Sequence, residues 1–245
     1  MNRIEKEEQI NPQQDVLIKS MNVCVKNGQR LMQNAEMLSY DDSTPTGYAI
    51  YILAQEEFAK AFLLYLVAQK VVHWETEVRR ALKDHSCKQL LGVVLDFLSP
   101  NTEQWLERLS LANIGKAVVL PGEVADAINL FRHEKIRRWQ SSTWVWQDDP
   151  EYNRTVKRIA EGALDEEKQD ALYVRIGRDG RVASHPTRVT KNDLEEAQDK
   201  ADRFNAFVSR IGQGDAVHDK EFEHVMAILK CLFSETNAVA TSTDK

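Results

Sequence analysis

Between Tyr48 and Val72 the chain is apolar at nearly every angle of a helix, reading YAIYILA and then AFLLYLVA, yet Glu56, Glu57 and Lys60 interrupt it. A helix that is apolar all round is buried among others. A membrane span would carry three charges near its centre at heavy cost, so the stretch predicts a core helix from about Gly47 to His73 and no membrane association. Glu56 and Lys60 are four residues apart and Glu57 and Lys60 three, so all three side chains meet on successive turns. Two readings are open. A solvated strip would hold exposed pairs worth about 0.3–0.5 kcal/mol each. A buried polar site fits the apolar flanks better, but the triad carries one excess negative charge and needs a further cation from a neighbouring helix. On that reading Glu57→Gln destabilises the chain more than a surface change does.

Other segments supply the neighbours. Leu17, Met21, Cys24, Leu31, Ala35 and Leu38, with Gly28 in the remaining slot, give the period of an amphipathic helix from Gln14 to Leu38. A cap-rich turn from Tyr40 to Pro45 follows, with Thr46 as an N-cap for the core helix. One long helix is expected from Glu75 to Leu98, and shorter ones near Thr102–Ala112, Gly122–Gln140 and Glu151–Ala163, with an aromatic loop at 141–150. β-Branched residues flank Asp179-Gly180, the signal of a two-residue hairpin. Thr190 and Asp193 resemble a capping pair that opens a helix over Asn192–Ile211. A last amphipathic helix covers Lys220–Phe233, and the remaining tail is expected to fray. The chain is mainly α, a helical bundle with one inserted β-hairpin near residues 171–189. It is expected to be one domain, with its core at about 14–165 and residues 166–235 as an appendage.

The cation that the triad needs is on offer in the run from Arg79 to Lys88, where His85 and Lys88 are three apart and share a face. The whole run equally suits a solvated basic face. A second basic stretch, Arg132, Lys135, Arg137 and Arg138, lies beside Trp139, Trp144 and Trp146, with Lys157 and Arg158 beyond. It could grip RNA through phosphate contacts and stacking. The alternative, a charged helix face with tryptophans packing a loop, is supported by the adjacent Asp148, Asp149 and Glu151.

Several classes are excluded. The 245 residues are 42% hydrophobic and 29% charged, which is globular composition, and 10 glycines and 6 prolines favour long helices. A net charge of -6 leaves no global basic footprint for nucleic acid. Cys24, Cys87 and Cys231 lie far apart, as reduced thiols of a cytoplasmic protein would. Residues 1–15 are charged and lack an apolar stretch, so no secretory leader is expected. No GxGxxG, Walker, HExxH or GxSxG motif occurs. A helical di-metal site needs carboxylates from several helices and two Glu-x-x-His pairs, of which Glu221–His224 gives one. No metal and no cofactor are expected.

Three blocks carry a resemblance: Asn34-Ala35-Glu36-Met37-Leu38, the segment Tyr48 to Ala61 with its EE-x-x-K, and Asp84-His85-Ser86-Cys87-Lys88. Together they resemble the AbiV-type abortive-infection family of the HEPN superfamily, closely over residues 14–90. The segment from Leu172 to Pro186 is loosely similar to one that follows in such proteins. Ala59 stands where the family usually has Gly, a helix-compatible change. The resemblance implies a HEPN-like bundle, antiphage defence by growth arrest or blocked translation, and action on RNA or the translation machinery. It further implies a homodimer with a composite cleft, and a phage-encoded activator or an antitoxin as further partners. Many HEPN proteins are metal-independent ribonucleases with an Arg-x(4–6)-His motif. Arg80 or Arg79 with His85 matches, the histidine as general acid/base and the arginine on the charged phosphorane. Arg178 with His185 also matches but spans the hairpin, where helical geometry is lost. Glu56, Glu57, Lys60 and Lys88 would then organise the cleft. The alternative is a non-catalytic helical module that binds a partner protein or nucleotide.

Overall fold

The computed structural model describes residues 12–39, 44–101, 103–104, 121–132, 152–213, 222–223, 226–227 and 229–230. Its helices are α1 (Gln14–Ser39), α2 (Thr44–Ala68), α3 (Thr76–Ala81), α4 (His85–Leu98), α5 (Gly122–Asn129), α6 (Arg154–Ala160), α7 (Ala163–Asp170) and α8 (Lys191–Gln213). One antiparallel hairpin, β1 (Arg175–Ile176) with β2 (Val182–Ser184), precedes α8. This is the mainly α bundle with an inserted hairpin that the patterning predicts. No helix among the described residues is long and apolar enough to cross a membrane. Most of the helix expected at Thr102–Ala112, all of the aromatic loop at 141–150 and much of the helix expected at Lys220–Phe233 lie outside the described residues, with Glu103 and Gln104 helical.

α2 is the central rod, with Tyr51, Phe58 and Phe62 fully buried. α1 lies against it so closely that a Cβ at Gly28 would stand 2.4 Å from Phe58 Cε1. A mid-helix glycine ordinarily costs about 1 kcal/mol; here only the missing side chain lets the Phe58 ring in. α8 packs on α2 and α4, and its Phe204, Phe207 and Val208 belong to the same core cluster. Phe207 meets Phe62 edge-on at 6.2 Å between centroids. Thus the range set apart as an appendage contains a helix of the main core, while Tyr173, Val174, Ile176 and Val182 around the hairpin are exposed.

Element boundaries differ from expectation where caps intervene. α2 ends at Ala68 rather than near His73, because Lys70 adopts φ 58° and the chain turns back on itself. Lys70 N–H then donates to Val67 O and Val71 N–H to Leu66 O, the double bond of a Schellman stop. The single helix expected over Glu75–Leu98 is two, α3 and α4, because Asp84 leaves helical geometry and its carboxylate accepts Cys87 N–H at 2.8 Å. The helix expected at Glu151–Ala163 stops at Ala160. Gly162, at φ 95°, starts α7 in a new direction. The hairpin loop holds three residues rather than two: Gly177 N–H donates to Arg181 O, with Arg178, Asp179 and Gly180 between them. The Thr190–Asp193 capping pair forms as read. Thr190 N–H reaches the Asp193 carboxylate at 2.8 Å, and Asp193 N–H reaches Thr190 Oγ1 at 3.2 Å.

Candidate functional site

α2 presents Glu56 and Glu57 about 100° apart, and their surroundings diverge. Glu56 is 3% exposed and faces α4 and α7. Its Oε2 lies 2.5 Å from His85 Nδ1 and 2.9 Å from Lys88 Nζ. Its Oε1 accepts from Lys168 Nζ at 2.9 Å and from Gln89 Nε2 at 3.1 Å. The α4 contributors follow from the Asp84 cap: His85, Lys88 and Gln89 occupy one face of the first turns, at spacings of three and four. Lys168 comes from α7 with Asp165, its own partner at 2.7 Å. Glu57 pairs instead with Lys60 at 2.5 Å, both part-exposed.

The electrostatics follow from this packing. Burial pushes the Glu56 carboxyl up, but the charges and hydrogen bonds of Lys88 and Lys168 outweigh it and hold the group below its ordinary value. Asp165 is held low in the same way, with burial opposing and Lys168 and then His85 prevailing. With His85 neutral, Glu56 and Asp165 balance Lys88 and Lys168, so the excess negative charge read from the sequence is answered within the cluster. His85 Nδ1 also lies 3.0 Å from Lys168 Nζ. One ring nitrogen cannot donate and accept at once. A lone pair facing a carboxylate oxygen at 2.5 Å would be strongly repelled, so Nδ1 carries the proton and donates to Glu56, and in the neutral ring Nε2 is then the acceptor.

Glu56, His85 and Asp165 place their donor atoms within 4.8 Å of one another, a spacing that suits a divalent ion. The Lys168 ammonium lies among these groups and bonds both carboxylates, Glu56 at 2.9 Å and Asp165 at 2.7 Å, while the protonated Nδ1 of His85, 3.0 Å away, is a neighbour and not a ligand. Lysine thus serves as the cation of this cage.

Of the residues singled out in the sequence, Glu56, His85 and Lys88 come together. Glu57 and Lys60 stay on another face of α2, near Cys24 of α1, whose thiol is pushed up first by burial and then by Glu57. Arg79 and Arg80 are exposed on α3, across the Leu82–Asp84 turn from His85, and Arg79 donates to Thr76 Oγ1 at 2.9 Å. Arg132 is buried, at 6% exposure, just beyond α5. Lys157 and Arg158 are exposed on α6. Lys135, Arg137 and Arg138 lie outside the described residues. Cys24 and Cys87 form no disulfide among the described residues, and Cys231 also lies outside them. Sequence reasoning missed Lys168 and Asp165, while Gln89, which continues the side of His85 and Lys88, does reach Glu56. Gly162 was the one local signal that a separate α7 begins, and nothing in the spacing ties Lys168 to Glu56 across 112 residues.

The AbiV family model matches residues 16–206, from α1 through most of α8. No curated protein and no solved structure matches the chain. The family match spans well over half of the 245 residues and contains Glu56 with His85, Lys88, Gln89 and Lys168 around it, and on that basis the chain belongs to the AbiV family of HEPN-type proteins.

Proposed function

We propose that this protein is an antiphage abortive-infection effector acting on RNA or the translation machinery, with His85 as the general acid/base of a metal-independent ribonuclease. The observation that carries this reading is the Glu56–His85 bond at 2.5 Å beneath a ring whose side chain is 45% exposed. A buried carboxylate that fixes the tautomer and steadies the imidazolium, with the second nitrogen open to substrate, is the arrangement of an oriented base. Nε2 would take the proton of a ribose 2′-hydroxyl and return one to the leaving oxygen. The cluster is neutral when His85 is neutral, so the imidazolium and an arriving phosphodiester offset each other's charge. Lys168 and Lys88 hold Glu56 ionised and in place. Family membership adds the abortive-infection role, and the superfamily adds a homodimer with a composite cleft.

The placement of Arg79 and Arg80 on α3 favours a second reading, in which the same cleft belongs to a non-catalytic module that binds a partner protein or nucleotide. One experiment separates the two. Purified protein is incubated with total RNA in EDTA, wild type beside His85→Ala. Ribonuclease action predicts cleavage by the wild type and a loss of about 10²–10⁴-fold in the variant. Cleavage that survives the substitution removes His85 from the chemistry. Intact RNA under every condition supports the binding module.

A further inference from the structure

α7 has a second working face. Asp165 and Lys168 turn toward Glu56, whereas Glu167 and Asp170, on the other side of the same two turns, line a cavity of about 290 Å³. Tyr48 of α2, Ser184 at the end of β2, Arg188 with the adjacent His185, and Asp193 in the first turn of α8 line the rest of it. The volume is at the lower end of small-molecule sites, about 300–1,000 Å³, and suits a short aliphatic ligand better than a nucleotide.

Two independent features distinguish it from a packing gap. Ser184 is 1% exposed, and its Oγ has no hydrogen-bond partner among the described residues. A buried hydroxyl left in that state is destabilising, and a ligand donor in the cavity relieves it. The second feature is the imbalance of the carboxylates. Asp170 is answered by Arg175 at 2.9 Å, and Asp193 by the Thr190 N–H and hydroxyl at 2.8 and 2.7 Å. Glu167 has a looser pair with exposed Arg158 at 3.5 Å. Burial pushes its carboxyl up, Arg158 opposes, and Asp193 and Asp170 push it further. Arg175 and Arg158 answer Asp170 and Glu167 from outside the lining, so within it three carboxylates meet one guanidinium, that of Arg188; an anion is disfavoured there, and an apolar ligand would leave Ser184 Oγ without a partner.

We propose that this cavity binds a small organic cation, an alkylammonium or alkylguanidinium, whose charged head sits between Glu167 and Asp193. Its N–H groups donate to those carboxylates and to Ser184 Oγ, and the Tyr48 ring lies against the cation. The site is separate from the His85 cleft and stands whether or not that cleft is catalytic.

The test is calorimetric titration of the full chain with agmatine and with putrescine, beside 1,4-butanediol, succinate and sodium chloride at matched ionic strength. The expected result is saturable binding of at least one of the two amines. Glu167→Gln, at a half-exposed position that leaves the fold intact, is expected to weaken binding about tenfold or more. Ser184→Ala is expected to weaken it less, with an unchanged far-UV spectrum. Any of three results overturns the proposal: neither amine binds at millimolar concentration, butanediol or succinate or salt binds equally well, or Glu167→Gln leaves affinity unchanged.

Discussion

Glu56 and Glu57 are neighbours on one helix, carry identical side chains and sit in the same apolar run, yet they occupy different physical regimes. Glu56 is buried, touches α4 and α7, and is held by two ammonium groups, an imidazole and an amide. Glu57 has a one-turn pair with Lys60, and the two side chains remain 17% and 25% exposed. A charge inside an apolar helix therefore carries no fixed meaning. The next helix to arrive decides whether it becomes the centre of a cluster or a local pair. On the Glu56 side α4 arrives with its N-terminal turn, whose His85, Lys88 and Gln89 converge because Asp84 starts the helix there.

The sharpest way to break the contrast is Glu56→Gln. The substitution keeps the shape but leaves Lys88, at 7% side-chain exposure, buried without a carboxylate. Removing one partner of a buried ion pair costs about 3–5 kcal/mol, and that loss is expected in denaturant unfolding. A loss below about 1 kcal/mol would mean that water reaches Lys88 and that the cluster is no more demanding than a surface pair.

A smaller, pH-dependent effect follows from the same groups. Glu56 and Asp165 both have carboxyls held below their ordinary values in the folded state, burial opposing and the lysines prevailing. A depressed carboxyl adds stability that is fully present above its unfolded value, about pH 4, and is lost as pH falls through the lower folded value. Unfolding free energy of the wild type is therefore expected to fall on acidification below about pH 4. The slope should be shallower in Glu56→Gln, which removes one of the two groups. Equal slopes in the two proteins would detach Glu56 from the acid response.

How much of this was legible depended on the range of each contact. α1 follows from periodicity alone and begins at Gln14 as read, because an amphipathic stripe records its own burial, while α2 follows from being apolar all round. The capping pair at Thr190 and Asp193 is equally local. The demand for a cation near the island, and its supply from the Arg79–Lys88 run, could be argued from charge balance, and Lys88 does meet Glu56. Lys168 could not be found that way. It lies in ALDEEKQD, which has the composition of a solvated helix, and it is buried because α7 packs against α2 and α4. The same blindness applied to Glu56 against Glu57. The apolar flanks said that charges were enclosed, and only the direction from which α4 and α7 approach says which glutamate is enclosed. The stability effect expected of Glu57 thus moves to its neighbour.

That transfer yields the smallest prediction and the most exacting one. Glu57→Gln removes a part-exposed pair on α2 whose partner, Lys60, retains access to water. Exposed pairs three or four apart contribute about 0.2–1 kcal/mol and weaken with salt. Glu57→Gln is expected to lower stability by no more than about 1 kcal/mol. Added sodium chloride should narrow even that difference, whereas the deficit of Glu56→Gln should persist, because ions do not screen a buried pair as they do a surface one. A Glu57→Gln loss comparable to that of Glu56→Gln, and insensitive to salt, would erase the distinction. The two carboxylates would then act as one coupled site through α2, and a double substitution would lose less than the sum of the singles.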